Sequence, residues 1–420
     1  MPEELSLAQE QLHRIKLWQA GVNPPPGPVT AMVFPTNICN IQCKHCWQRW
    51  KSYDKSYKSE MSDERFLSLV EEGRELGIRW WYFVGGGDPM GRRDLVMEMV
   101  RRIRAYGGNG GIHTNGTLFK PEHIEELVDL GWEQIRVSLD GPNAEINDYI
   151  RSKGFDKAVK NLRLFSEAKA CKGAVKPDVH LYITVTNLTF DKIVDFVELA
   201  HSLGPDIGCL LSGLIVDEPG VAQFELSPEQ KLAYPGHVRE GLARARELAV
   251  DNNFEWYLSE ELVRDGMDMH RDFKWRDLGG LSHAMCFEPF TNMSIVPDGM
   301  MGPCCAFEDA DAMSLSEHSL AEVWNGPYMT RVRQGMLNGN PPHYCRRCPA
   351  NLYVEKERNR VAFSPALERS WKDIAWQRRG AAARAGYLVE RSVHSLREAG
   401  LSETMRRGAR WLKLRMHGDD

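Results

Sequence analysis

Three cysteines within eight residues constrain this sequence more than any other feature. Cys39, Cys43 and Cys46 follow closely on the apolar run Thr30–Phe34, which predicts a strand that ends just before them. A short loop lets three thiolates converge on one face of an iron–sulfur cube. A cube of the 4Fe–4S type has four irons, so three cysteines leave one iron without a protein ligand. An open metal position predicts that a substrate or cofactor binds there.

A zinc site or a set of buried thiols is the alternative interpretation of these cysteines. Zinc sites usually combine a C-x2-C pair with a second pair and close at four ligands. His45 could supply a fourth ligand, but it lies between Cys43 and Cys46 and would crowd the same turn. The iron–sulfur interpretation is therefore favoured on this stretch, and zinc stays open.

The size and composition of the chain predict one large α/β domain with a smaller one. The 420 residues are 42% hydrophobic and 26% charged, as in ordinary globular proteins. The net charge of −5 favours no particular partner, and we expect no nucleic acid. The N-terminus lacks the features of a signal peptide, and no apolar run is long enough for a transmembrane segment. Ten cysteines without a secretion signal indicate reduced thiols and metal binding, so a cytoplasmic location is expected.

Strand-like and helix-like segments alternate after a proline-rich break at residues 24–28. Six successive βα units predict an α/β fold in which a parallel sheet curls into a partial (β/α)6 TIM-like barrel. The predicted strands cover residues 30–35, 79–84, 109–113, 133–139, 179–186 and 206–214. The predicted helices lie near 62–76, 92–106, 121–130, 155–169 and 190–203. Loops at the carboxyl ends of such strands carry the chemistry, and the cysteine loop lies at that edge.

Glycine-rich and polar segments follow the later strands at the same predicted edge. Glycines let a backbone approach a ligand closely, and Gly85-Gly86-Gly87-Asp88 follows the second strand. Further strand ends carry His113-Thr114-Asn115, Ser138-Leu139-Asp140 and Thr186-Asn187. Each segment could be an ordinary strand end, and for His113 and Thr186 that interpretation is equally favoured. Their occurrence at successive strands favours one shared binding site.

These segments together resemble the motifs of radical S-adenosylmethionine (SAM) enzymes over residues 30–215. The resemblance implies that the open iron holds the amino and carboxylate groups of SAM, whose reductive cleavage yields a 5′-deoxyadenosyl radical. Asp88 stands where the family has the longer Glu, and Arg151 matches the arginine that pairs with the SAM carboxylate. The implied cofactor-binding residues are Gly85, Gly86, Gly87, Asp88, Thr114, Asn115, Ser138, Asp140, Arg151 and Asn187.

A second group of cysteines lies on both sides of a predicted hairpin at Asp298-Gly299. Its four-ligand set is Cys286, Cys304 (or Cys305), Cys345 and Cys348. The set resembles the SPASM or twitch region of radical SAM enzymes, which implies one auxiliary 4Fe–4S cluster; a structural zinc ribbon is the alternative.

Two further thiols are candidates for catalysis. Cys304 and Cys305 cannot easily both ligate one cluster, so the spare one, Cys305 by this assignment, either donates a hydrogen atom to a substrate radical or is inertly packed. Cys209 in the sixth strand is the other candidate, if it faces the barrel lumen.

Five segments make up the predicted domain organisation. They are an N-terminal helix and linker (1–28), the barrel core (29–215), a connector (216–283), a SPASM/twitch-like cluster domain (284–360) and a basic helical tail (361–420). The connector is expected to hold a helix from Pro228 to about Val250 and a strand at 254–258. The tail has twelve basic against seven acidic residues, which is typical of a solvated helical face, with an anionic partner as the alternative. An aromatic loop between Trp47 and Met61 is either a lid or a surface insertion.

We expect a radical SAM enzyme that removes a hydrogen atom from a carbohydrate-like small molecule, giving oxidation, epimerisation or dehydration. Fewer than thirty residues precede the first strand, which leaves no room for a fused peptide-binding domain. The enzyme alternative is a radical maturase of a ribosomally made peptide, which makes a cross-link or an epimerised residue. The non-enzyme alternative is a zinc-stabilised binding protein. A reductant such as flavodoxin or ferredoxin is the expected protein partner.

Overall fold

An eight-stranded sheet forms the centre of this computed structural model. The structure describes residues 10, 13, 14, 17, 18, 25–46, 57–214, 219–258, 288–305, 307, 311–338 and 342–347. The strands are β1 Thr30–Val33, β2 Trp80–Phe83, β3 Asn109–Thr114, β4 Gln134–Ser138, β5 Asp178–Thr184, β6 Ile207–Ser212, β7 Asn292–Ile295 and β8 Met301–Gly302. Their order is β6-β5-β4-β3-β2-β1-β7-β8, and every neighbouring pair is parallel except β7 and β8. All six predicted core strands are confirmed.

Helices follow the core strands in the alternating order that the sequence predicts. They are α1 Asp63–Leu76, α2 Arg93–Ala105, α3 Pro121–Asp129, α4 Ala144–Arg151, α5 Phe155–Lys172, α6 Ile193–Leu203, α7 Pro219–Ala222, α8 Pro228–Leu248, α9 Glu288–Thr291, α10 Leu320–Asn325 and α11 Pro327–Asn338. Short 3₁₀ helices cover Tyr57–Ser59, Pro89–Arg92, Phe254–Leu258 and His343–Arg347. Ser62 and Ser227 cap α1 and α8 with their side chains, as their serine-initiated sequences predict. No described helix is long and apolar enough to cross a membrane.

The two faces of the sheet have different compositions, because successive side chains of a strand point to opposite sides. Apolar residues such as Phe83, Ile112 and Val137 pack against the helices in one continuous core. The residues between them form the other side of the sheet, which we call the lumen face. It carries Trp80, Tyr82, His113, Gln134, Arg136, Ser138, Tyr182 and Thr184. The predicted partial barrel is therefore confirmed, with a polar and aromatic interior.

The second cysteine region is joined to the barrel through the same sheet. β7 lies parallel to β1, with Thr30 beside Asn292 and Val33 beside Ile295. β7 and β8 then form the hairpin that Asp298-Gly299 predicts. The sheet runs across both regions, so the expected boundary at residue 284 separates two stretches of sequence that share one sheet. The five segment boundaries stay predictions.

The expected strand at 254–258 is wrong, because this stretch is a 3₁₀ helix. The side-chain oxygen of Asn252 accepts a hydrogen bond from the Phe254 backbone N–H at 3.1 Å, which starts a helical turn. The segment just before it lies beside β6 instead, where the Cys209 N–H donates to the Asp251 carbonyl at 2.8 Å. Residues 47–56 of the predicted lid and the tail at 361–420 lie outside the described residues.

Candidate functional site

The first cysteine loop lies at the carboxyl edge of the sheet and rests on the end of α4. The Lys44 backbone N–H donates to the Ile150 carbonyl at 2.8 Å, and the Gln42 N–H donates to the Ser152 hydroxyl at 3.1 Å. The Lys44 ammonium lies 3.4 Å from the centre of the Tyr149 ring, a cation–π contact. These contacts hold the loop against the end of α4.

The three thiols of this loop are possible thiolate ligands of a metal cluster. Burial, and then the neighbouring Cys46 and Cys39, raise the pKa of Cys43 to about 12, although Arg151 lowers it. Such a thiol loses its proton when a metal cation binds. A cube spreads its thiolates over separate irons, so this donor set fits a cube with one open corner.

The glycine loop after β2 packs directly on the cysteine loop. The Gly87 N–H donates to the Thr36 carbonyl at 2.8 Å, and the Asp88 N–H donates to the Ile38 carbonyl at 3.0 Å. A Cβ atom at Gly87 would lie 2.0 Å from the Ile38 carbonyl oxygen. The cysteine loop therefore leaves no space for a side chain at Gly87. The sequence alone did not reveal this reason for the glycine. Contact of Gly85, Gly86 and Gly87 with a cofactor stays a prediction.

Asp88 connects the glycine loop to the end of β3. Its carboxylate is 3% exposed and accepts hydrogen bonds from the Met90 N–H at 3.0 Å, the Asn115 N–H at 2.7 Å and the Thr114 hydroxyl at 2.9 Å. Both carboxylate oxygens thus have protein partners. The shorter Asp in place of the family's Glu acts here as a positioning residue for two loops, and its direct contact with SAM stays a prediction.

Asn115 brings a hydrogen-bond donor to the cluster site. Its side-chain N–H2 lies 3.8 Å from the Cys39 sulfur and donates to the Asn40 side-chain oxygen at 2.9 Å. The Asn40 side chain in turn donates to the Thr117 hydroxyl at 2.8 Å. Hydrogen bonds to ligand sulfurs tune the reduction potential of iron–sulfur clusters. Thr117 and Asn40 belong to this network although sequence reasoning did not select them.

Asp140 is fully buried at the end of β4 and binds three neighbours. One oxygen is 3.0 Å from the His45 Nε2 and is paired with Arg151, and the other accepts the Thr184 N–H at 2.8 Å. Burial alone would raise its pKa, but Arg151 and His45 hold the pKa of Asp140 well below its usual range. Arg151 is therefore held beside the cysteine loop by a buried carboxylate. Its predicted pairing with the SAM carboxylate stays a prediction.

Glu60 and Arg92 form a clamp at the entry to the cysteine loop, which sequence reasoning missed. One Glu60 oxygen accepts from the Thr36 hydroxyl and from the Asn37 N–H, both at 2.8 Å. The other lies 3.6 Å from the Arg92 guanidinium, which also donates to the Pro35 carbonyl at 2.9 Å. No motif marks Glu60, because its partners come from separate segments that meet only in the fold.

Three other predicted residues lie in different surroundings. Ser138 is half-buried on the lumen face. The Asn187 side chain donates to the Gln223 carbonyl at 2.9 Å, which attaches the end of β5 to the segment before α8. Thr186 is fully buried and hydrogen-bonded to Thr189 at 3.0 Å, as in an ordinary strand end.

The expectation that Cys209 faces the lumen is wrong. Its thiol is fully buried on the helix-covered side and donates to the Phe196 carbonyl of α6 at 3.3 Å. Burial raises its pKa well above that of a free thiol. Ser212 ends the same strand on the opposite face, and the alternation from Cys209 to Ser212 is the signal that could have indicated this. A catalytic role for Cys209 would need access that this position does not give.

The second cysteine group is described in part. Cys286 and Cys348 lie outside the described residues. Cys304, Cys305 and Cys345 are half-buried. Burial first, and then Tyr328, Cys304 and Cys345, raise the pKa of the Tyr344 hydroxyl, so Cys304 and Cys345 lie near one point. The choice between Cys304 and Cys305 as a ligand stays a prediction, as does the four-ligand set. The roles of Cys305 and of the other thiols stay predictions.

Comparisons with known proteins agree with this arrangement. The sequence pattern of the Radical SAM superfamily matches residues 33–200, and that of the SPASM iron–sulfur cluster-binding domain matches residues 286–349. The mycofactocin maturase MftC of Mycolicibacterium smegmatis is 31% identical over 170 residues, 40% of this chain and 41% of MftC. An AdoMet-dependent heme synthase of Oleidesulfovibrio alaskensis is 29% identical over 171 residues, again 41% of that relative. The chain thus matches less than half the length of these two relatives.

Two further comparisons extend beyond the barrel. The PqqA peptide cyclase of Xanthomonas campestris is 24% identical over 332 residues, 77% of this chain and 80% of the cyclase. The crystal structure of Streptococcus suis SuiB bound to its precursor peptide SuiA superposes with a TM-score of 0.57 at 16% identity, covering 84% of this chain and 80% of SuiB. The SuiB likeness shows the shared fold. The chain belongs to the radical SAM superfamily and carries a SPASM-type iron–sulfur cluster-binding region.

Proposed function

We propose that this protein is a radical SAM maturase that modifies a peptide substrate. The observation that carries the proposal is the alignment with the PqqA peptide cyclase, which spans 77% of this chain and 80% of the cyclase. SuiB, which shares the fold, is bound to a precursor peptide in its structure. The peptide interpretation, held as the alternative on sequence grounds, therefore has better support than the carbohydrate-like substrate.

The carbohydrate interpretation rested on the short segment before β1 and on the single auxiliary cluster. None of the four relatives named above carries a carbohydrate in its name. The heme synthase shows that relatives with non-peptide products also match the barrel, but its alignment covers only 40% of this chain. The longer alignment is the more informative one, because its 332 residues extend beyond the Radical SAM match at residues 33–200.

The residues of the site have separate tasks in this proposal. Cys39, Cys43 and Cys46 would hold the 4Fe–4S cluster, which supplies the electron that splits SAM into methionine and the 5′-deoxyadenosyl radical. Asp140 holds Arg151 beside the cysteine loop, where its guanidinium can pair with a carboxylate. Asn115 donates toward the Cys39 sulfur.

Supporting parts lie around this centre. Glu60 and Arg92 fix the entry to the loop. Cys286, Cys304, Cys345 and Cys348 would hold an auxiliary cluster. A flavodoxin or ferredoxin would deliver the electron, in the cytoplasm.

The test uses the full chain, reconstituted anaerobically, with SAM, dithionite and the product of any short open reading frame beside its gene. We expect 5′-deoxyadenosine to form together with a mass change in the peptide, and neither with Cys43→Ala. Turnover of a sugar or another small metabolite, with no change in any neighbouring peptide, would overturn the peptide assignment. A reconstituted protein that holds zinc and no iron would overturn the radical enzyme itself.

A further inference from the structure

Arg136 and His113 lie side by side on the lumen face, and no anionic side chain of the described residues pairs with either of them. They are paired residues of the adjacent strands β4 and β3. The Arg136 guanidinium donates one hydrogen bond, to the Gln134 side-chain oxygen at 3.2 Å, and its buried Nε–H has no partner. The buried Nε2 of His113 has none either. Burying a guanidinium or a ring nitrogen without a hydrogen-bond partner costs folding free energy, unless a bound ligand supplies the partner.

The nearby carboxylates are occupied elsewhere. Glu133 and Asp178 both pair with Lys176, at 2.6 and 2.7 Å. No carboxylate of the described residues forms an ion pair with Arg136. Burial, and then the charge of Arg136, lower the pKa of His113 well below its usual range, so His113 is neutral. The pair therefore presents one permanent positive charge and one neutral imidazole to the lumen.

Two tyrosines form aromatic walls around the pair. The His113 ring is 5.5 Å from the Tyr182 ring and 6.2 Å from the Tyr82 ring, centre to centre. The Arg136 guanidinium lies 5.7 Å from the centre of the Tyr182 ring. Aromatic faces shield the guanidinium from water, and this strengthens its attraction for an anion.

The pair lies below the cofactor edge in the barrel. Arg136 precedes Ser138 by two residues on the same face, which is about 7 Å along a strand. His113 stands one residue before Thr114, where the network of Asp88 begins. A molecule bound to the pair would thus extend from the lumen toward the mouth where the radical forms.

We propose that Arg136 and His113 bind a carboxylate of the substrate and so place it beneath the cofactor. The inference rests on the proposed peptide-modifying function and adds to it a substrate chemistry: the peptide presents a carboxylate to the lumen, either from an acidic side chain or from its C-terminus. Arg136 supplies a planar fork of donors that matches a carboxylate, and His113 supplies one ring nitrogen.

The test measures binding by calorimetry, on the reconstituted full chain and with SAM at saturation so that the SAM site is filled. The side-chain probes are the α-amide of N-acetylglutamate and its glutamine counterpart. The C-terminal probes are N-acetylalanine and N-acetylalaninamide. Arg136→Gln is compared with Arg163→Gln, because Arg163 is an exposed arginine on α5. Cluster absorbance checks the fold, and Arg136→Lys replaces the glutamine variant if that variant does not fold.

We expect the acid of one probe pair to bind at least tenfold more tightly than its amide, and that pair identifies the source of the carboxylate. Arg136→Gln should abolish the preference, Arg136→Lys should reduce it, and Arg163→Gln should leave it unchanged. Equal binding of acids and amides by the wild type would overturn the inference. A loss of SAM affinity in Arg136→Gln would also overturn the inference, because Arg136 would then belong to the cofactor site. If the protein modifies a peptide but binds acids and amides equally, only this inference is wrong. If it prefers the acid but modifies no peptide, only the proposed function is wrong.

Discussion

Asp140 shows how one buried carboxylate organises the cofactor site. It connects the end of β4 to the cysteine loop through His45, to α4 through Arg151, and to the end of β5 through the Thr184 N–H. Removing one partner of a buried ion pair leaves the other charge buried and uncompensated. Stability and the position of Arg151 therefore depend on the same side chain.

Asp140→Asn should lower the free energy of unfolding by about 3–5 kcal/mol, because Arg151 is then left without its counter-charge. The matched control is Asp129→Asn. The Asp129 carboxylate is 62% exposed and pairs with Lys172 at the surface. That control should lose less than about 1 kcal/mol. Urea unfolding of both variants measures the difference, and equal losses would show that the Asp140 pair has no special role.

The pH dependence of the Asp140 contribution has a defined sign. Its pKa in the folded protein is depressed, so its stabilisation is present above the unfolded pKa of about 3.9 and is lost as the pH falls toward the folded pKa. The stability difference between wild type and Asp140→Asn should therefore shrink below about pH 4. Unfolding curves at graded pH measure it, and a gap that widens on acidification would contradict the prediction.

Sequence reasoning at this scale identified residues that belong to motifs and missed those that act through backbone contacts. The three cysteines, Asp88 and Asp140 stand in recognisable patterns. Glu60 and Arg92 do not, because their partners are largely carbonyl and amide groups that only the fold brings together.

At the scale of elements, the cysteine loop is held on several sides by other loops. The glycine loop after β2 donates two backbone hydrogen bonds to it, and α4 accepts one from it. The Glu60–Arg92 clamp fixes its entry. Preorganisation of this kind makes cluster binding depend on residues that never touch the metal.

Gly87→Ala should displace the cysteine loop, because the new Cβ would lie 2.0 Å from the Ile38 carbonyl oxygen. Overpacking of this kind costs about 1–3 kcal/mol. Gly91→Ala is the matched control, since its nearest neighbour would be 3.6 Å away. Iron content after reconstitution and thermal unfolding should both fall for Gly87→Ala and not for Gly91→Ala. Full iron content in both would show that the loops tolerate the contact.

Glu60→Ala should loosen the entry to the cysteine loop while the barrel stays folded. The Thr36 hydroxyl and the Asn37 N–H then lose their acceptor, at a cost of about 1–3 kcal/mol for a buried donor. We expect several-fold faster loss of cluster absorbance in the presence of a chelator than in Glu75→Ala, an exposed control on α1. Identical rates would remove the clamp from the list of positioning residues.

Local patterns predicted the elements of the barrel but not all of their pairings. The six core strands and their helices follow from hydrophobic periodicity and helix-start signals. The position of β7 beside β1 did not follow, because the pairing joins residues more than 250 positions apart. The turn at Asn252 overrode the apolar run at 254–258, which had favoured a strand.

At the scale of the whole molecule, the sheet connects the two cysteine regions. β1 leads into the first cysteine loop, and β7 lies parallel to it. After the hairpin, β8 runs back antiparallel to β7, and Cys304 follows β8. β1 and β7 end at the same edge, where the Phe34 N–H donates to the Ile295 carbonyl at 2.9 Å. The strands of the second cysteine region therefore continue the barrel sheet.

Electron paramagnetic resonance of the reduced protein tests the open cluster corner most directly. The informative variant is Cys304→Ala/Cys345→Ala, which keeps the first cysteine trio and removes two of the proposed ligands of the second set. Its reduced cluster signal should change when SAM is added, because SAM binds the iron that lacks a protein ligand. Two results would contradict the assignment. The first is a signal that SAM leaves unchanged. The second is a signal that persists and still responds to SAM after Cys39, Cys43 and Cys46 are all replaced by Ala in the wild-type background.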